Sequence, residues 1–431
     1  MRREQVLFPA LRYVAKRPWL ARGLNPLLAP YNPFDPDRRS NPYPGYQLLR
    51  NEGPVMYHER LQGYIVSGYD EAEAVLRSPS VSVDRSGQLL TVRPYSQLDD
   101  DVMAFFSTWL ISIDPPDHTR LRKLISRAFT PRSIELLEPG VANQTNELLD
   151  DLARRSADAA LPASVDVMPT FADLLPIQVI GQLLGIPKSD WPWLKTISDE
   201  VVKFVDPLNG FDPSEMNRLV RELSTYFGDL AEQRRIEPGD DLFSRLIAIE
   251  EDGDRLTRNE LISMLSLVMG AGHETTSSLI GNALLAIDAH PDARGLLLQR
   301  RDLDANAIEE LLRFDSPVQV TQRTTLESID VGGIRIPAGS DVTILLGAAN
   351  RDPRRHDRAG DLVLDRHDPR PLSFGHGIHH CVGAALARME GRVAVTSFVR
   401  RFPGYSVDRD EMRWKSTLTL RGPSSLPVFL D

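Results

Sequence analysis

A long and mostly apolar region runs from Thr257 to Pro291 and predicts one dominant helix. Thr257 and Glu260 have the spacing of a capping box, in which two side chains satisfy backbone amides at a helix start. No proline follows until Pro291, so the helix should contain roughly 30 residues and measure on the order of 45 Å. Because apolar residues surround most of its circumference, we expect this helix to be central and buried.

The middle of this predicted helix reads Gly-Ala-Gly-His-Glu-Thr-Thr from residue 270 to residue 276, which departs from a good helix sequence. Each glycine costs a helix roughly 1 kcal/mol. A buried carboxylate such as that of Glu274 costs more unless it is paired. Local departures of this kind are typical of functional sites, so we expect one here.

The remaining pattern is mainly helical, with a few short strands. Amphipathic helices follow one another from about residue 134 to residue 249, with breaks at Trp191-Pro192-Trp193 and between Asp206 and Pro213. Strands are predicted at residues 54–58, 63–66, 318–324, 329–336 and 341–346. Residues 81–111 look irregular, and a loop of that length inside a compact fold is usually functional.

A shorter helix is predicted from about Asp114 to Phe129, and its two faces differ in character. His118 and Arg122 lie on a partly apolar face, where a cation is costly unless it has an anionic partner. The opposite face carries three cations, Arg120, Lys123 and Arg127. Such a face is normally solvated, but it also suits contact with an acidic partner.

The single cysteine, Cys381, lies in a glycine-rich loop at residues 373–383. Glycine lets the main chain approach a flat ligand closely, and the sequence after Gly383 is strongly helix-forming. Backbone amides and a helix start favour an anionic thiolate. A thiolate is a strong ligand for haem iron.

Two plainer interpretations of this loop stay open beside that one. A lone cysteine is most often a small buried apolar residue. With His376, His379 and His380, Cys381 could instead bind zinc. Zinc ligand pairs are usually spaced so that a turn or helix presents both, and the adjacent His380 and Cys381 do this poorly.

Composition narrows the class of protein. No linker, repeat or low-complexity tract divides the 431 residues, and the hydrophobic and charged fractions of 42% and 26% are ordinary for a globular chain. The net charge of −10 argues against general nucleic-acid binding. One cysteine permits no internal disulfide, which fits a reducing cytoplasm. Charges interrupt the apolar runs near the N-terminus, so we expect neither a membrane span nor a secretory signal.

From Phe374 to Gly383 the sequence reads Phe-Gly-x-Gly-x-His-x-Cys-x-Gly. Together with the other motifs in their order, this pattern resembles the soluble bacterial cytochromes P450 from about Tyr43 to the C-terminus. The resemblance implies a fold that is mainly α with small β-sheets (α+β), triangular and prism-like, with haem buried between the long helix and the cysteine-loop helix. Residues 43–431 would form a single catalytic domain, and residues 1–42 an N-terminal extension packed on or near it.

The resemblance also implies roles for particular residues. Cys381 would be the proximal thiolate ligand of the iron, which favours O–O cleavage. Glu274 and Thr275 would deliver protons as an acid–alcohol pair, and the small Ala271 and Gly272 would leave room for dioxygen. The implied haem contacts are His118, Arg122, Ala271, Arg323, Phe374, Gly375, His379, Cys381 and Gly383. The implied structural triad is Glu310, Arg313 and Arg366.

The implied activity is that of a haem-thiolate monooxygenase, which inserts one atom of O2 into a C–H bond by hydroxylation or epoxidation. The cofactor would be haem b, and NAD(P)H would supply electrons through a separate ferredoxin reductase and ferredoxin. The ferredoxin would dock at Arg120, Lys123 and Arg127, with Arg388 and Arg392 as neighbours. A hydrophobic substrate of medium size would contact Leu90, Leu267, Val268, Ala271, Val320, Thr321 and Thr419. The chain would act as a monomer.

Two alternatives use the same loop differently. One is a peroxygenase driven by hydrogen peroxide, which would have little use for the Glu274–Thr275 pair because peroxide already carries the protons and electrons. The other is a non-catalytic haem-binding protein.

Overall fold

The computed structural model describes residues 17–28, 32–84, 95–158, 164–206, 210–248, 250–251 and 254–430. Helices are its main elements, as the sequence predicts. The α-helices are Pro18–Gly23, Asn25–Leu28, Pro36–Ser40, Tyr43–Glu52, Tyr69–Arg77, Asp100–Ser107, Asp117–Ala128, Pro131–Glu135, Glu138–Asp158, Leu174–Leu183, Trp191–Val201, Pro213–Ile236, Leu242–Ala248, Arg258–Ala289, Pro291–Gln299, Asp304–Phe314, Leu346–Ala349 and Ala384–Arg401.

The strands form small sheets, and the largest of those described has five strands. Its strands lie in the order Val55–His58, Gly63–Val66, Asp341–Leu345, Val320–Thr325 and Val81–Ser82. The second and third are parallel, and the other neighbours are antiparallel. In a three-stranded sheet, Pro427–Phe429 pairs with both Ser406–Val407 and Val165–Asp166. The two-stranded sheets pair Arg413–Trp414 with Pro423–Ser425, Ile329–Val331 with Ile334–Ile336, and Glu250–Glu251 with Asp254–Arg255.

The helix Arg258–Ala289, called the central helix below, has 32 residues and starts with the predicted capping box. The Thr257 amide donates to Oε2 of Glu260 at 2.8 Å, and the Glu260 amide donates to Oγ1 of Thr257 at 3.2 Å. Most of its residues are buried. It packs against Leu174–Leu183, Trp191–Val201 and Ala384–Arg401, so the prediction of a central and buried helix is confirmed.

The glycines of the central helix make room for neighbouring elements. A Cβ atom at Gly272 would lie 2.5 Å from Cδ1 of Ile180, and one at Gly281 would lie 2.7 Å from Cγ of Pro423. Gly272 therefore admits the helix Leu174–Leu183, and its predicted part in leaving room for dioxygen stays a prediction. Ala271 is exposed although most of this helix is buried, so the open side of the helix is at Ala271.

Two local predictions were wrong. The segment 81–111 is not irregular throughout, because Asp100–Ser107 is a helix. Trp191-Pro192-Trp193 does not break a helix but begins Trp191–Val201, since a proline in the first turn needs no backbone amide. The predicted break near Asp206 is confirmed by the end of the 3₁₀ turn at Val205 and the start of the next helix at Pro213.

Aromatic side chains join the region after residue 94 to the turn before Pro213. Phe106 and Phe204 stack with ring centroids 3.6 Å apart. The Tyr95 hydroxyl donates to the Phe204 carbonyl at 2.9 Å, and Trp109 packs edge-on against Phe106. These contacts hold the two segments together. The predicted contact Leu90 lies outside the described residues.

The described part of the N-terminal extension contacts the rest of the chain. Ala21, Leu28 and Phe34 form a small buried cluster against which Leu61 and Leu418 pack. The guanidinium of Arg421 donates to the carbonyls of residues 39 and 40. In the described residues, no helix combines the length and the apolarity that crossing a lipid bilayer requires.

Candidate functional site

The loop at residues 373–383, called the cysteine loop below, is fixed by its backbone. The Cys381 amide donates to the Phe374 carbonyl at 2.9 Å. Gly377 has a φ of +71°, a conformation that favours glycine, and a Cβ there would collide with the Leu76 carbonyl. Glycine at 377 is therefore required both by the turn and by the close approach of the helix Tyr69–Arg77.

A side-chain contact ties the same loop to that helix. His376 Nδ1 accepts from the Gly377 amide at 2.7 Å, and its Nε2 lies 3.0 Å from the Glu73 carboxylate. Gly375, with a φ of +68°, makes the preceding bend. The loop thus has a fixed shape before any ligand is considered.

The Cys381 thiol is the only one in the chain, and protein groups surround it closely. Burial raises the pKa of Cys381, while the Gly383 amide, Arg122 and Arg388 act to lower it. The residue nevertheless keeps accessible surface. Gly383 is also the N-cap of the helix Ala384–Arg401. These flanking cations and the helix start act in favour of the thiolate, the form that binds a metal, although burial outweighs them and keeps the pKa of Cys381 above its usual value.

The two cations that flank the thiol are themselves held in place. Nη1 of Arg122 donates to the His380 carbonyl at 2.6 Å, which fastens the cysteine loop to the helix Asp117–Ala128. Cζ of Arg388 lies 4.4 Å from the centroid of the Phe374 ring. Arg388 also forms an ion pair with Glu309. The Phe374 ring therefore packs against the Arg388 guanidinium.

Basic side chains from separate parts of the chain, called the basic cluster below, meet beside the cysteine loop: His118, Arg122, Arg323 and His379. The rings of His118 and His379 have centroids 4.2 Å apart. Burial lowers the pKa of Arg323 to about 10 and that of His379 to about 3, and it also lowers the pKa of His118.

The basic cluster lacks matching acids. Within the described part of the chain, Asp114 is the acidic side chain that acts on His118, Arg323 and His379, and it already accepts hydrogen bonds from Ser82 and the backbone. His118 is 1% exposed, and neither of its ring nitrogens has a hydrogen-bond partner among the described residues. Buried polar groups are normally paired. The cluster therefore suits a ligand that brings carboxylates.

On the central helix, Ala271 and Thr275 share the open face, one turn apart. The Thr275 hydroxyl donates to the Ala271 carbonyl at 2.6 Å. Glu274 Oε1 pairs with Nζ of Lys415 at 2.8 Å. The acid and the alcohol are thus adjacent in sequence, but in this structure each is bonded to a different partner.

Lys415 is the main cation beside Glu274. Burial acts to raise the pKa of Glu274, but Lys415, together with His273 and Lys195, outweighs burial and holds the pKa below its usual value. The ammonium also lies 3.2 Å from the Ser278 hydroxyl. No local pattern in the sequence points to Lys415, since it follows the strand Arg413–Trp414, well over 100 residues away in the chain.

A second group near Glu274 was not assigned from the sequence. One ring nitrogen of His273 and one carboxylate oxygen each of Asp199 and Glu274 lie within 4.8 Å of one another. His273 is 1% exposed. The position of His273 beside Glu274 in the helix motif was a visible signal, but Asp199 lies on another helix and gives none.

The predicted structural triad is assembled, with Glu310 and Arg313 completely buried and Arg366 partly buried. Arg313 makes two hydrogen bonds to Glu310, at 2.7 and 2.8 Å, and Arg366 adds one at 2.9 Å. The remaining donors of Arg313 reach the carbonyls of residues 350, 359 and 361. The Val363 amide donates to Glu310. These bonds fasten the irregular segment before the cysteine loop to the helix Asp304–Phe314.

The cations predicted for partner docking already have protein partners. Arg120 forms an ion pair with Glu260, and Arg392 pairs with Glu138 at 2.6 Å. Lys123 and Arg127 also interact within the chain. Any acidic partner at this surface must therefore compete with the protein's own carboxylates.

The predicted substrate contacts occupy neighbouring elements. Val320 and Thr321 lie on the strand Val320–Thr325, and the Gln319 amide donates to the Thr419 carbonyl at 2.8 Å. Leu267 and Val268 lie on the central helix one turn before Ala271, Leu267 buried and Val268 half-buried. Strand Val320–Thr325 and residues 417–420 are therefore adjacent in space.

The zinc interpretation of the cysteine loop finds no geometric support. His376 is engaged with Glu73 and Gly377, and His379 packs against His118. The metal-type cluster that the described residues contain is Asp199, His273 and Glu274, which lies on other elements and excludes Cys381. The histidines and the cysteine of the loop do not converge on one point.

Comparison with known proteins agrees with this geometry. The sequence profile of the family described as Cytochrome P450 matches residues 62–300 and 296–419. The chain is 39% identical over 400 residues to the 6-deoxyerythronolide B hydroxylase of Saccharopolyspora erythraea, covering 90% of this chain and 96% of that protein. It is 39% identical over 399 residues to the vitamin D(3) 25-hydroxylase of Pseudonocardia autotrophica, covering 90% and 94%.

A solved structure shows the same fold. The structure of P450BioI in complex with an acyl carrier protein ligated to hexadec-9Z-enoic acid superposes with a TM-score of 0.84 at 32% identity, covering 92% of this chain and 99% of that one. The fold and these similarities define a haem-dependent monooxygenase. The chain belongs to the cytochrome P450 family.

Membership of this family implies a haem-iron cofactor, the use of O2, redox partner proteins and a small-molecule substrate. The residues present fit haem, since the thiol of Cys381 is accessible and the basic cluster lacks carboxylates that haem carries as propionates. The chain is thus an oxidoreductase of the monooxygenase and hydroxylase group.

Proposed function

We propose that the chain hydroxylates a hydrophobic molecule of medium size, with haem b bound through Cys381 and electrons supplied by a ferredoxin and its reductase. The observation that carries this proposal is the accessible thiol between two cations, Arg122 and Arg388, next to the basic cluster. A flat tetrapyrrole with two carboxylates satisfies both features at once. His118, Arg323 and His379 would hold the propionates, and Phe374, Gly375 and Gly383 would shape the thiolate side.

In the reaction, O2, two electrons and two protons are consumed for each hydroxyl group formed, and the second oxygen atom leaves as water. The haem supplies oxygen activation when bound. The chain must bind the substrate, exclude water and supply protons one at a time. Glu274 and Thr275 are the proposed proton donors, and Thr275 must release the Ala271 carbonyl to serve in that role.

The first test is the visible spectrum of the reduced protein with carbon monoxide. We expect the strongly red-shifted Soret band of a thiolate-ligated haem. Cys381→Ser should abolish that band, while His376→Gln, which changes the same loop outside the basic cluster, should retain it. A Soret band typical of histidine ligation in the unchanged protein, or no haem band, would overturn the proposal.

We further propose a substrate of the size of a macrolactone or a steroid. The lining positions Val268, Ala271 and Val320 are apolar and incompletely buried, and two relatives are named for hydroxylating 6-deoxyerythronolide B and vitamin D(3). Titration of the haem spin state with a macrolactone, a steroid and a free fatty acid would rank these classes. Tightest binding of the fatty acid would contradict the proposed size class.

We also propose that the ferredoxin docks at Arg120, Lys123 and Arg127. Reversing all three charges should slow electron transfer and weaken its dependence on salt, because long-range attraction between charged surfaces is screened by ions. Reversal of Arg218 and Arg221 on the helix Pro213–Ile236 is the control. Equal rates in both variants would place the docking surface elsewhere.

Faster turnover with hydrogen peroxide than with any ferredoxin would favour the peroxygenase alternative.

A further inference from the structure

Five titratable side chains form a continuous series of alternating charge next to the proposed oxygen site. In spatial order they are Lys195, Asp199, His273, Glu274 and Lys415. They come from three elements: the helix Trp191–Val201, the central helix and the segment after Arg413–Trp414. We call these five side chains the charge relay below.

The contacts within the charge relay use different atoms of each carboxylate. Oδ2 of Asp199 pairs with Nζ of Lys195 at 2.7 Å, while Oδ1 lies 3.6 Å from Nδ1 of His273. Oε1 of Glu274 pairs with Nζ of Lys415 at 2.8 Å. Each carboxylate is therefore anchored by a lysine and still lies near the imidazole.

The imidazole orientation is set by its other neighbours. Nε2 of His273 lies 3.1 Å from the Asp173 carbonyl, which can only accept, so this nitrogen carries a proton. Nδ1 is then the nitrogen that gains and loses a proton, and the Ser198 hydroxyl lies 3.3 Å from it. Asp199 thus lies on the Nδ1 side of the ring, and a carboxylate oxygen of Glu274 lies within 4.8 Å of a ring nitrogen.

The relay leads from solvent into the protein. The side chain of Asp199 is 40% exposed, that of His273 is 1% exposed, and that of Glu274 is 19% exposed. Asp199 can thus collect a proton from water, whereas His273 is sealed from it. A gap of 3.6 Å is short enough for a small side-chain rotation or one bridging water to close.

We propose that Asp199 and His273 are the proton inlet of the enzyme, passing protons from solvent to Glu274, and that Lys415 positions Glu274 to receive them. Only protons move: one binds Nδ1 of His273 as one leaves Asp199, and one reaches Glu274 as Nδ1 gives it up. No electron or heavy atom is transferred. This inference rests on the proposed monooxygenase function, because only a reaction that consumes protons needs an inlet.

The charges around His273 suit a side chain that holds an extra proton only briefly. Burial lowers its pKa, and the acids Asp199, Glu274 and Asp173 act in the opposite direction, with Lys195 opposing them. Lys415 faces Glu274 from the remaining element. The ring is therefore neutral at rest and is surrounded by carboxylates that stabilise it briefly when charged.

The competing explanation is that these contacts only hold the helix Trp191–Val201 against the central helix. His273→Gln and Asp199→Asn separate the two roles, because both keep hydrogen-bonding side chains but neither can carry a proton at neutral pH. Glu200→Gln is the matched control, since Glu200 neighbours Asp199, pairs with Lys203 and lies outside the relay.

Each variant is compared for product formed per NAD(P)H consumed, for peroxide released and for the solvent deuterium isotope effect on turnover. In His273→Gln, product per NAD(P)H should fall by about tenfold or more, with peroxide release and the isotope effect both raised. Asp199→Asn should show the same changes to a smaller degree, and a lower pH should partly restore the product formed per NAD(P)H. Glu200→Gln should match the unchanged protein.

Two results would overturn the inlet. One is normal coupling and an unchanged isotope effect in both His273→Gln and Asp199→Asn. The other is weaker substrate binding in the spin-state titration with coupling unchanged, which identifies a structural tether.

The carbon monoxide spectrum of the unchanged protein is recorded first. If that spectrum lacks the thiolate signature, the monooxygenase proposal itself fails, whereas a failure of the inlet alone leaves the spectrum and the activity intact. Because Asp199 is partly exposed, its variant keeps the test valid if the buried His273 variant does not fold.

Discussion

Two groups of charged and titratable side chains, the structural triad and the basic cluster, are satisfied to different degrees. The triad of Glu310, Arg313 and Arg366 uses its charges on itself and on backbone carbonyls. The basic cluster holds cations and histidines whose acids are missing or already engaged. A fully paired group stabilises a fold, whereas a buried side chain such as His118, which has no hydrogen-bond partner among the described residues, indicates where a ligand supplies one. The comparison favours a scaffold role for the triad and a ligand-binding role for the basic cluster.

The largest effect should come from opening the triad. Glu310→Gln removes the charge that Arg313 and Arg366 share, and both Glu310 and Arg313 are completely buried. Breaking a buried pair in this way typically costs about 3–5 kcal/mol. We expect a loss of that order in the free energy of unfolding, measured by chemical denaturation of the cofactor-free chain. Glu215→Gln, which breaks an exposed pair with Arg218, is the control, and an equal loss in both variants would contradict the assignment.

Arg323→Met should weaken haem retention with little loss of stability, the reverse of what is expected for Glu310→Gln. Burial already lowers the pKa of Arg323 to about 10, so removing this cation from the cofactor-free chain should cost little stability. Haem retention should fall, because one propionate partner is lost. Stability and the rate of haem transfer to an acceptor protein are the two measurements. A stability loss as large as that of the triad variant, with normal haem retention, would assign Arg323 to the scaffold.

The smallest effect concerns His356, a buried histidine beside the triad. Burial, together with Arg313 and Arg366, lowers its pKa to about 4. The unfolded chain therefore binds more protons than the folded one between pH 6.5 and 4, so stability falls as the pH decreases through this window. The slope from one group cannot exceed about 1.4 kcal/mol per pH unit. His356→Phe should flatten the dependence of the free energy of unfolding on pH in that window, and an unchanged slope would show that His356 does not titrate as described.

Local sequence patterns predicted those parts of the fold whose causes are local. The capping box at Thr257 and Glu260 set the start of the central helix, and the glycines around Cys381 indicated a tight loop before a helix. Pro192 was read as a break in a helix, but it lies in the first turn of Trp191–Val201. Proline can mark either the end of one helix or the start of the next, and the local sequence does not distinguish the two. The packing role of Gly272 was not predicted, since only the tertiary structure shows that Ile180 lies against it.

The sequence by itself determined the family of this protein, the thiol that would hold its iron, and the residue types of its acid–alcohol pair. Only the tertiary structure decided which charges meet: Lys415 with Glu274, Asp199 with His273, and His118 with His379. The physical reason is that a motif is set by backbone geometry over a few residues, whereas an ion pair depends on distances between elements far apart in the chain. Those distances follow from packing of the whole core, which no short pattern encodes.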